Sequence, residues 1–443
     1  MAIRLSDHFT YRRLLRFVFP SIVMMIFTSI YGVVDGFFVS NYVSAQAFSA
    51  VNFIMPFLMM PSTLGFMFGT GGSALIGKTL GEKDGEKANR YFSLLVYTGV
   101  GLGIVMGAVC IVFLRPIAVF LGAEGGMLEE CVRYGRIILL ALPAFILQFM
   151  FQSFFVTAEK PKLGLSVTVA SGFTNIILDF VLIGVLRMGV EGAALATAAS
   201  QVVGGVLPLF YFFRKNKSLL RLGKTSFMLR PLVVSCLNGI SELLSNLSMS
   251  IVNMLYNAQL LHFAGENGVA AYGAIMYVNF IFVAIYIGFA VGSAPILSYH
   301  YGAGNREELK SLFKKSLVFY GVASVILTAA AEFSASVLAD LFVGYDAALY
   351  TLTLRGFMIY SLSFLLMGFN IYASSFFTAL GDGPVSAAIS FMRTLVFQIV
   401  ALFVLPIFWE IDGIWLSIVA AELFSIAISV IFFVKMRKKY GYV

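Results

Sequence analysis

Twelve long apolar runs separated by short polar turns organise the chain. They fall near residues 14–38, 48–76, 91–114, 134–157, 163–186, 190–213, 230–261, 268–298, 316–338, 349–379, 384–407 and 412–434. A membrane-crossing helix needs about 20 mostly apolar residues. Every run meets that length, and several exceed it, which predicts tilt or extension beyond the bilayer. Barrel strands would be shorter and would alternate apolar with polar positions. The pattern predicts an all-α polytopic membrane protein with 12 transmembrane helices.

The second half of the pattern echoes the first. At an offset of 221 residues, Gly71 and Gly81 fall on Gly292 and Gly302, and Phe68 falls on Phe289. Gly135 falls on Gly356, and Phe155, Thr157 and Ala158 fall on Phe376, Thr378 and Ala379. Val190-Glu191-Gly192 falls on Ile411-Asp412-Gly413, and Leu195 on Leu416. Each half holds six spans, so both halves begin and end on one side. This predicts two six-helix bundles related by a parallel pseudo-two-fold axis along the membrane normal, an arrangement known among secondary transporters. The expected units are an N-terminal six-helix lobe over 1–213, a linker over 214–229 and a C-terminal six-helix lobe over 230–443.

Composition agrees. Sixty per cent of the 443 residues are apolar and only 12% are charged, against roughly 45–50% and 25% in soluble domains. That excludes a soluble enzyme and a disordered chain. The net charge of +8 would suggest an anionic partner until the charges are placed. Twenty-four of the 30 Lys and Arg lie on the side shared by the termini, in the N-terminal arm, the turns after spans 2, 4 and 8, the 214–230 segment and the tail. By the positive-inside rule, both termini are cytoplasmic. The basic excess is therefore a topology signal. Membrane lipid is an expected partner, with some unspecific attraction to anionic headgroups, and nucleic acid is not.

Cys110, Cys131 and Cys236 are odd in number and lack metal spacing, and His8, His262 and His300 form no helical pair. Neither a disulfide framework nor a zinc site is expected. The opening MAIRLSDHFTYRRLLRF has no short apolar core with a cleavage site. The first apolar run therefore reads as a retained span.

A charge near the bilayer centre costs at least about 2.5–3.5 kcal/mol on insertion scales, so each one inside a span needs a reason. Asp35 ends span 1, and Asp179 lies at similar depth in span 5, four residues after Asn175. Asn175 and Asp179 share a helix face. Two carboxyl groups at one depth beside an amide can share a proton or bind a cation such as Na+. The alternative is that each Asp merely ties two helices together. Glu422 in span 12 occupies the repeat position of Gln201 in span 6, which suits an interhelical pin in both halves. Arg393 in span 11 needs a partner, and Glu422 is the natural one. Glu242 in span 7 is followed by Asn246, Asn253 and Asn257, which suggests a helix face lining a cavity.

Pro20, Pro56, Pro61 and Pro295 interrupt spans 1, 2 and 8, as hinges or as passive kinks. Met59, Met60 and Met67 are candidates for a soft apolar pocket.

The chain resembles the multidrug and toxic compound extrusion (MATE) family along essentially its whole length. The carrying segments are Val34-Asp35-Gly36-Phe37-Phe38-Val39-Ser40, Ala47-Phe48-Ser49-Ala50-Val51-Asn52 and Gly77-Lys78-Thr79-Leu80-Gly81-Glu82. In the second half they are Val269-Ala270-Ala271-Tyr272-Gly273 and Tyr299-His300-Tyr301-Gly302-Ala303-Gly304-Asn305. The resemblance implies rocker-switch alternation of two bundles. It also implies export of amphiphilic or cationic compounds in exchange for protons or sodium across the bacterial inner membrane. The acids look like those of the DinF-like and MepA-like branches, with Asp35, Asn175 and Asp179 at matching positions. Thr197 and Tyr134 look like supporting polar groups, and Pro20 like a proline whose bending accompanies protonation. Phe180 departs from the proline that often follows the span 5 aspartate. The NorM-like branch carries its cation acids in the second lobe, where Glu242 and Glu422 stand here without clearly matching its motif.

The expected activity is therefore a secondary active multidrug antiporter, a monomer with small amphiphilic substrates, with no cofactor beyond the coupling ion. A flippase for a lipid-linked or polysaccharide precursor is the alternative, but its cavity should be strongly cationic, and Arg393 is the one basic residue well inside a span. A membrane-embedded enzyme would need a nucleophile with a base, paired aspartates or a metal cluster, and the sequence offers none.

Overall fold

The computed structural model describes residues 3–43 and 45–442. The first half runs through α1 (Tyr11–Tyr42), α2 (Ala45–Gly81), α3 (Gly85–Leu121), α4 (Gly125–Leu140), α5 (Leu142–Thr157), α6 (Pro161–Leu178) and α7 (Gly189–Phe213). The second runs through α8 (Leu229–Gly302), α9 (Arg306–Val343), α10 (Ala347–Ser361), α11 (Phe364–Ala379), α12 (Gly383–Phe391), α13 (Phe397–Val404) and α14 (Pro406–Tyr440). Two stretches are wound more loosely, as π-helix: Asp179–Val185 after α6 and Met392–Val396 between α12 and α13.

Twelve crossings result. The α4–α5 pair is one span bent by 55°, and α10–α11 is one bent by 48°. Pro143 sits in the first turn of α5, where it cannot donate back to α4, and so marks the break. The 74-residue α8 holds two spans joined at Gly265, whose φ of 62° only glycine adopts readily. Most helices outrun the apolar runs that predict them, as α1 shows at 11–42 against 14–38. Their polar ends project beyond the apolar slab.

The pseudo-two-fold is visible in the packing. In the first half, Phe92, Phe151, Phe155 and Phe212 form an aromatic cluster, with centroids 5.0 Å apart for Phe92–Phe212 and 5.3 Å for Phe155–Phe212. Their repeat positions, Phe313, Tyr372, Phe376 and Phe433, form the matching cluster at 5.1 Å and 5.8 Å. Such clusters hold each bundle together through area and ring geometry. The turns repeat too. Lys83 and Gly304 both take positive φ (64° and 68°). The next residues, Asp84 and Asn305, then cap α3 and α9 with their side chains.

The halves meet along a glycine seam near the end of the molecule that carries both termini. A Cβ on Gly71 would run into the Ser235 carbonyl, and one on Gly292 would lie 2.6 Å from Val18 Cγ1. A Cβ on Gly81 would strike the Tyr299 carbonyl, and one on Gly302 the Lys78 carbonyl. Gly77 and Ser298 are repeat mates and meet each other, 2.9 Å separating a Cβ on Gly77 from that of Ser298. They mark where the axis passes. Small residues let these backbones approach closely.

Short tethers surround the seam. The N-terminal arm crosses from one half to the other: Leu5 N–H donates to Glu159 Oε1 (2.6 Å), and Phe9 N–H to Glu308 Oε1 (2.8 Å). His8 Nδ1 lies 2.5 Å from Glu308 Oε2. The segment between α7 and α8 is pinned to α3, with Arg221 N–H donating to Asn89 Oδ1 (2.7 Å) and Gly223 N–H to Ser93 Oγ (3.0 Å). Ahead of α12, Asp382 accepts from the Tyr440 hydroxyl and from Lys439 Nζ, the latter at 3.0 Å. Burial alone would raise its carboxyl pKa, but these two donors outweigh it and hold it below the ordinary value. The stability it confers is present above about pH 4 and is lost as pH falls through the depressed folded value. Asp382→Asn should lower the thermal unfolding midpoint at pH 7, with the gap to the parent closing towards pH 3.

Candidate ion site and substrate cavity

In the first half, α1, α4, α6 and α7 bring the five sequence-predicted polar residues to one point. Asn175 Nδ2 donates to Asp35 Oδ1 at 3.4 Å. Asp35 also lies within side-chain hydrogen-bonding reach of Asp179 and Thr197. Thr197 stands beside the buried Tyr134, whose hydroxyl also reaches Met55 Sδ at 4.0 Å. Asp179 is 0% exposed, and neither of its carboxylate oxygens receives a hydrogen bond from any described residue. Two ionised carboxylates facing each other supply acceptors but no donor. An ionised buried carboxylate without a partner is strongly unfavourable. A proton or small cation between the two would satisfy both.

Asp179 also begins the π-wound stretch, and such bulges gather at functional sites. Phe180, which departs from the family's proline, is exposed and starts no break. The helix loosens here rather than ending. Pro20 is buried inside α1, which stays helical through it. Gln201, one turn after Thr197 on α7, is buried, with Oε1 unpaired among the described residues.

Two further residues join the cluster without having been singled out. Tyr31 sits one turn before Asp35 and approaches Gln148. Gln148 Nε2 donates to Ser171 Oγ (3.2 Å), which donates to the Ser200 carbonyl (2.7 Å). The i, i+4 spacing of Tyr31 and Asp35 was the available clue. For Gln148 it was a lone amide inside an apolar span.

In the second half a cavity of about 260 Å³ opens between the bundles, just beyond the seam. Glu242, Asn246, Asn253, Arg393 and Glu422 line it, together with Tyr256, Tyr272, Tyr360 and Met25, Met249, Met276 and Met367. The expected Arg393–Glu422 pair forms: Nε donates to Oε1 at 2.8 Å and to Oε2 at 3.0 Å. Glu422 is fully buried and also accepts from Asn370 Nδ2 at 2.7 Å, while Ser429 donates to Asn370 Oδ1 at 2.9 Å. Breaking such a buried pair costs far more than its net worth. Asn370, another lone amide in an apolar span, is the member that sequence reasoning missed. Tyr256 and Tyr272 stack at 5.2 Å, and the Tyr272 hydroxyl donates to Asn253 Oδ1 at 2.7 Å.

Two expectations are corrected. Asn257 is exposed and does not line the cavity, because it falls one position past the face that Asn246, Asn253 and Tyr256 share. The Met59, Met60 and Met67 pocket does not form. Met60 is 48% exposed, Met67 packs into the core, and the cavity takes its methionines from other helices.

Comparisons with known proteins follow this geometry. The MatE family matches residues 20–181 and again 243–404, close to the 221-residue offset read from the sequence. The multidrug export protein MepA of Staphylococcus aureus (strain MRSA252) is 26% identical over 421 residues, covering 94% of this chain and 92% of that protein. MepA of Staphylococcus haemolyticus (strain JCSC1435) is 28% identical over 313 residues, covering 70% and 69%. A crystal structure of MATE in complex with MaL6 superposes with a TM-score of 0.91 at 22% identity, covering 98% of this chain and 97% of that one. An outward-facing multidrug resistance MATE family transporter of the MOP superfamily gives 0.88 at 22% identity, with the same coverage. The structures speak for the fold, and the sequence match taken twice over speaks for the family. This chain belongs to the MatE family, as its resemblance to the multidrug and toxic compound extrusion proteins implied.

Proposed function

We propose that the chain is a secondary active antiporter that exports amphiphilic, mostly cationic compounds in exchange for H+ or Na+. One observation carries the ion-coupling part of this reading: Asp35 and Asp179 face each other inside one bundle, and Asp179 receives no hydrogen bond from any described residue. The substrate part rests on the aromatic and methionine-lined cavity, since such surfaces adapt to varied ligands. The MepA relatives are multidrug export proteins by name, which supports the same activity here. The reading is of a transporter, not an enzyme.

The lobes are residues 1–213 and 230–443, with 214–229 between them. Both termini lie in the cytoplasm, and the chain works as a monomer in the inner membrane. With that orientation the glycine seam lies on the cytoplasmic side, so the conformation described is the outward-facing one. A bound proton or ion drives the switch only if its affinity differs between the two conformations. Asp35, Asn175, Asp179, Thr197 and Tyr134 are the residues assigned to that difference, with Pro20 as the point where α1 bends. A flippase for phosphate-bearing lipids fits less well, because Arg393 is already paired to Glu422 and Glu242 adds a further acid.

Expression in a host lacking its own drug exporters tests the reading. The expected result is a several-fold rise in the inhibitory concentration of lipophilic cations, together with faster efflux of a fluorescent one. Unchanged susceptibility and efflux at a verified level of membrane-inserted protein would count against export.

A further inference from the structure

A second cavity, of about 350 Å³, lies at the C-terminal end of α7, where the chain leaves the first bundle for the 214–229 segment. Phe210, Tyr211, Arg214, Lys215, Asn216 and Lys217 line it. Three of the six are cations, and the chain has no Asp or Glu between Glu191 and Glu242. Arg214, Lys215 and Lys217 are exposed, and their side chains have no hydrogen-bond or ion-pair partner among the described residues. Other basic side chains on this face are engaged: Arg90 with Glu86, Lys439 with Asp382 and Lys315 with the Phe9 carbonyl.

The backbone around the cavity is already satisfied. Arg214 N–H donates to the Phe210 carbonyl (3.2 Å) and Leu222 N–H to the Phe212 carbonyl (3.0 Å). Asn216 Nδ2 donates to the carbonyls of Tyr211 (3.0 Å) and Arg214 (3.1 Å), and the Arg221 guanidinium to that of Asn216 (2.8 Å). The negative end of α7 is thereby covered. The same bonds hold the turn that carries the three cations. What faces the open space is a set of unused N–H donors with no acid among them. The adjoining surface of α7 is apolar. Leu207, Phe210 and Phe213 are 49%, 60% and 61% exposed, and Leu207, Phe210 and Arg214 share one helix face at i, i+3 and i+7. A free phosphate gains nothing from that strip, whereas an acyl chain would lie along it.

We propose that this cavity is a binding site for one anionic phospholipid, its phosphate held by Arg214, Lys215 and Lys217 and an acyl chain lying along Phe210 and Leu207. Arginine offers phosphate oxygens a forked pair of donors, and the lysines add point charges. This is a defined site, distinct from the general attraction of a basic face for acidic lipid. Because the cavity opens the segment that joins the two bundles, the lipid anchors that segment to the leaflet beside it. The inference does not depend on what the protein exports.

Nitroxide quenching tests it. Phe213→Cys, in a chain with Cys110, Cys131 and Cys236 replaced, carries a fluorophore beside the cavity. The protein is reconstituted into liposomes whose two leaflets are alike, so its orientation does not affect the reading. Quenching by phosphatidylglycerol with a nitroxide on its acyl chain is compared with that by phosphatidylcholine of the same chains. The anionic lipid should occupy the site about tenfold more strongly. Arg214→Gln/Lys215→Gln/Lys217→Gln should abolish that preference. Arg306→Gln/Lys310→Gln/Lys314→Gln removes as many exposed charges from α9 and should leave it intact. Excess glycerol phosphate in the buffer should not displace the lipid. Equal quenching by the two lipids in the parent, or equal loss of preference in both triple variants, would overturn the inference. Displacement by glycerol phosphate would overturn it in favour of a site for soluble phosphate.

Discussion

Asp179→Asn is expected to abolish ion-coupled export while the protein still folds. The side chain is fully buried, and its oxygens find no donor among the described residues. Asn has the same shape and removes the ionisable group, so no packing is lost and no charge is left uncompensated. The unfolding midpoint should be equal to the parent's or higher. What disappears is the group whose occupancy differs between conformations. Swinging a two-state equilibrium from one side to the other needs about 5.5 kcal/mol of differential affinity, and a neutral amide cannot supply a proton- or cation-dependent share of it. Asp35→Asn should behave alike, because Asp35 shares the Asn175 amide and the approach to Asp179. Drug efflux in cells and thermal unfolding of the purified variants check both halves of the statement. Parental efflux from either variant would sink the assignment, and a large drop in midpoint would show that the pair is structural.

The second large effect concerns the seam. In Gly81→Ala and Gly302→Ala each new Cβ meets a backbone carbonyl, of Tyr299 and of Lys78, and backbone cannot swing aside as a side chain can. Overpacking of this kind costs about 1–3 kcal/mol per site, paid only while the seam is closed. The double variant should therefore shift the population by about tenfold or more towards an open seam. Ser298 reports on this directly, since it is buried at the axis against Gly77. A Ser298→Cys substitution, made with Cys110, Cys131 and Cys236 replaced, should be protected from alkylation in the parent background and reactive in the double variant. Equal protection in a monodisperse double variant would show that the seam is not a gate.

Much of this fold was legible in the sequence. Long apolar runs have one solution in lipid, because every backbone group must be satisfied within the span. The 221-residue repeat could be read from glycines and turns, since those positions are fixed by close approach and backbone conformation. The aromatic clusters that best express the symmetry were harder to see. Phe151 and Tyr372 occupy the same place without being identical, and one phenylalanine among 45 carries little information. At the proposed ion site, Asp35 and Asp179 stood out because ionisable groups in spans are rare, and Asn175 because it lies one turn before Asp179. Gln148 and Asn370 did not, because an uncharged amide is a weak signal until its neighbours are known. Asn257 shows the converse: polarity along a helix suggests a face, but only the packing decides where that face ends. The N-terminal arm crossing between Glu159 and Glu308 had no readable signal, since both partners lie far away in the chain.

Transport driven by an imposed gradient tests the central claim most directly. The purified protein is reconstituted into liposomes, a proton gradient or a sodium gradient is imposed separately, and movement of a fluorescent amphiphilic cation is followed. One of the two gradients should drive movement against the cation's own gradient, and Asp35→Asn and Asp179→Asn should reduce it to the rate of empty liposomes. Movement indifferent to both gradients, or driven equally well in the two variants, would contradict an exchanger coupled through that pair.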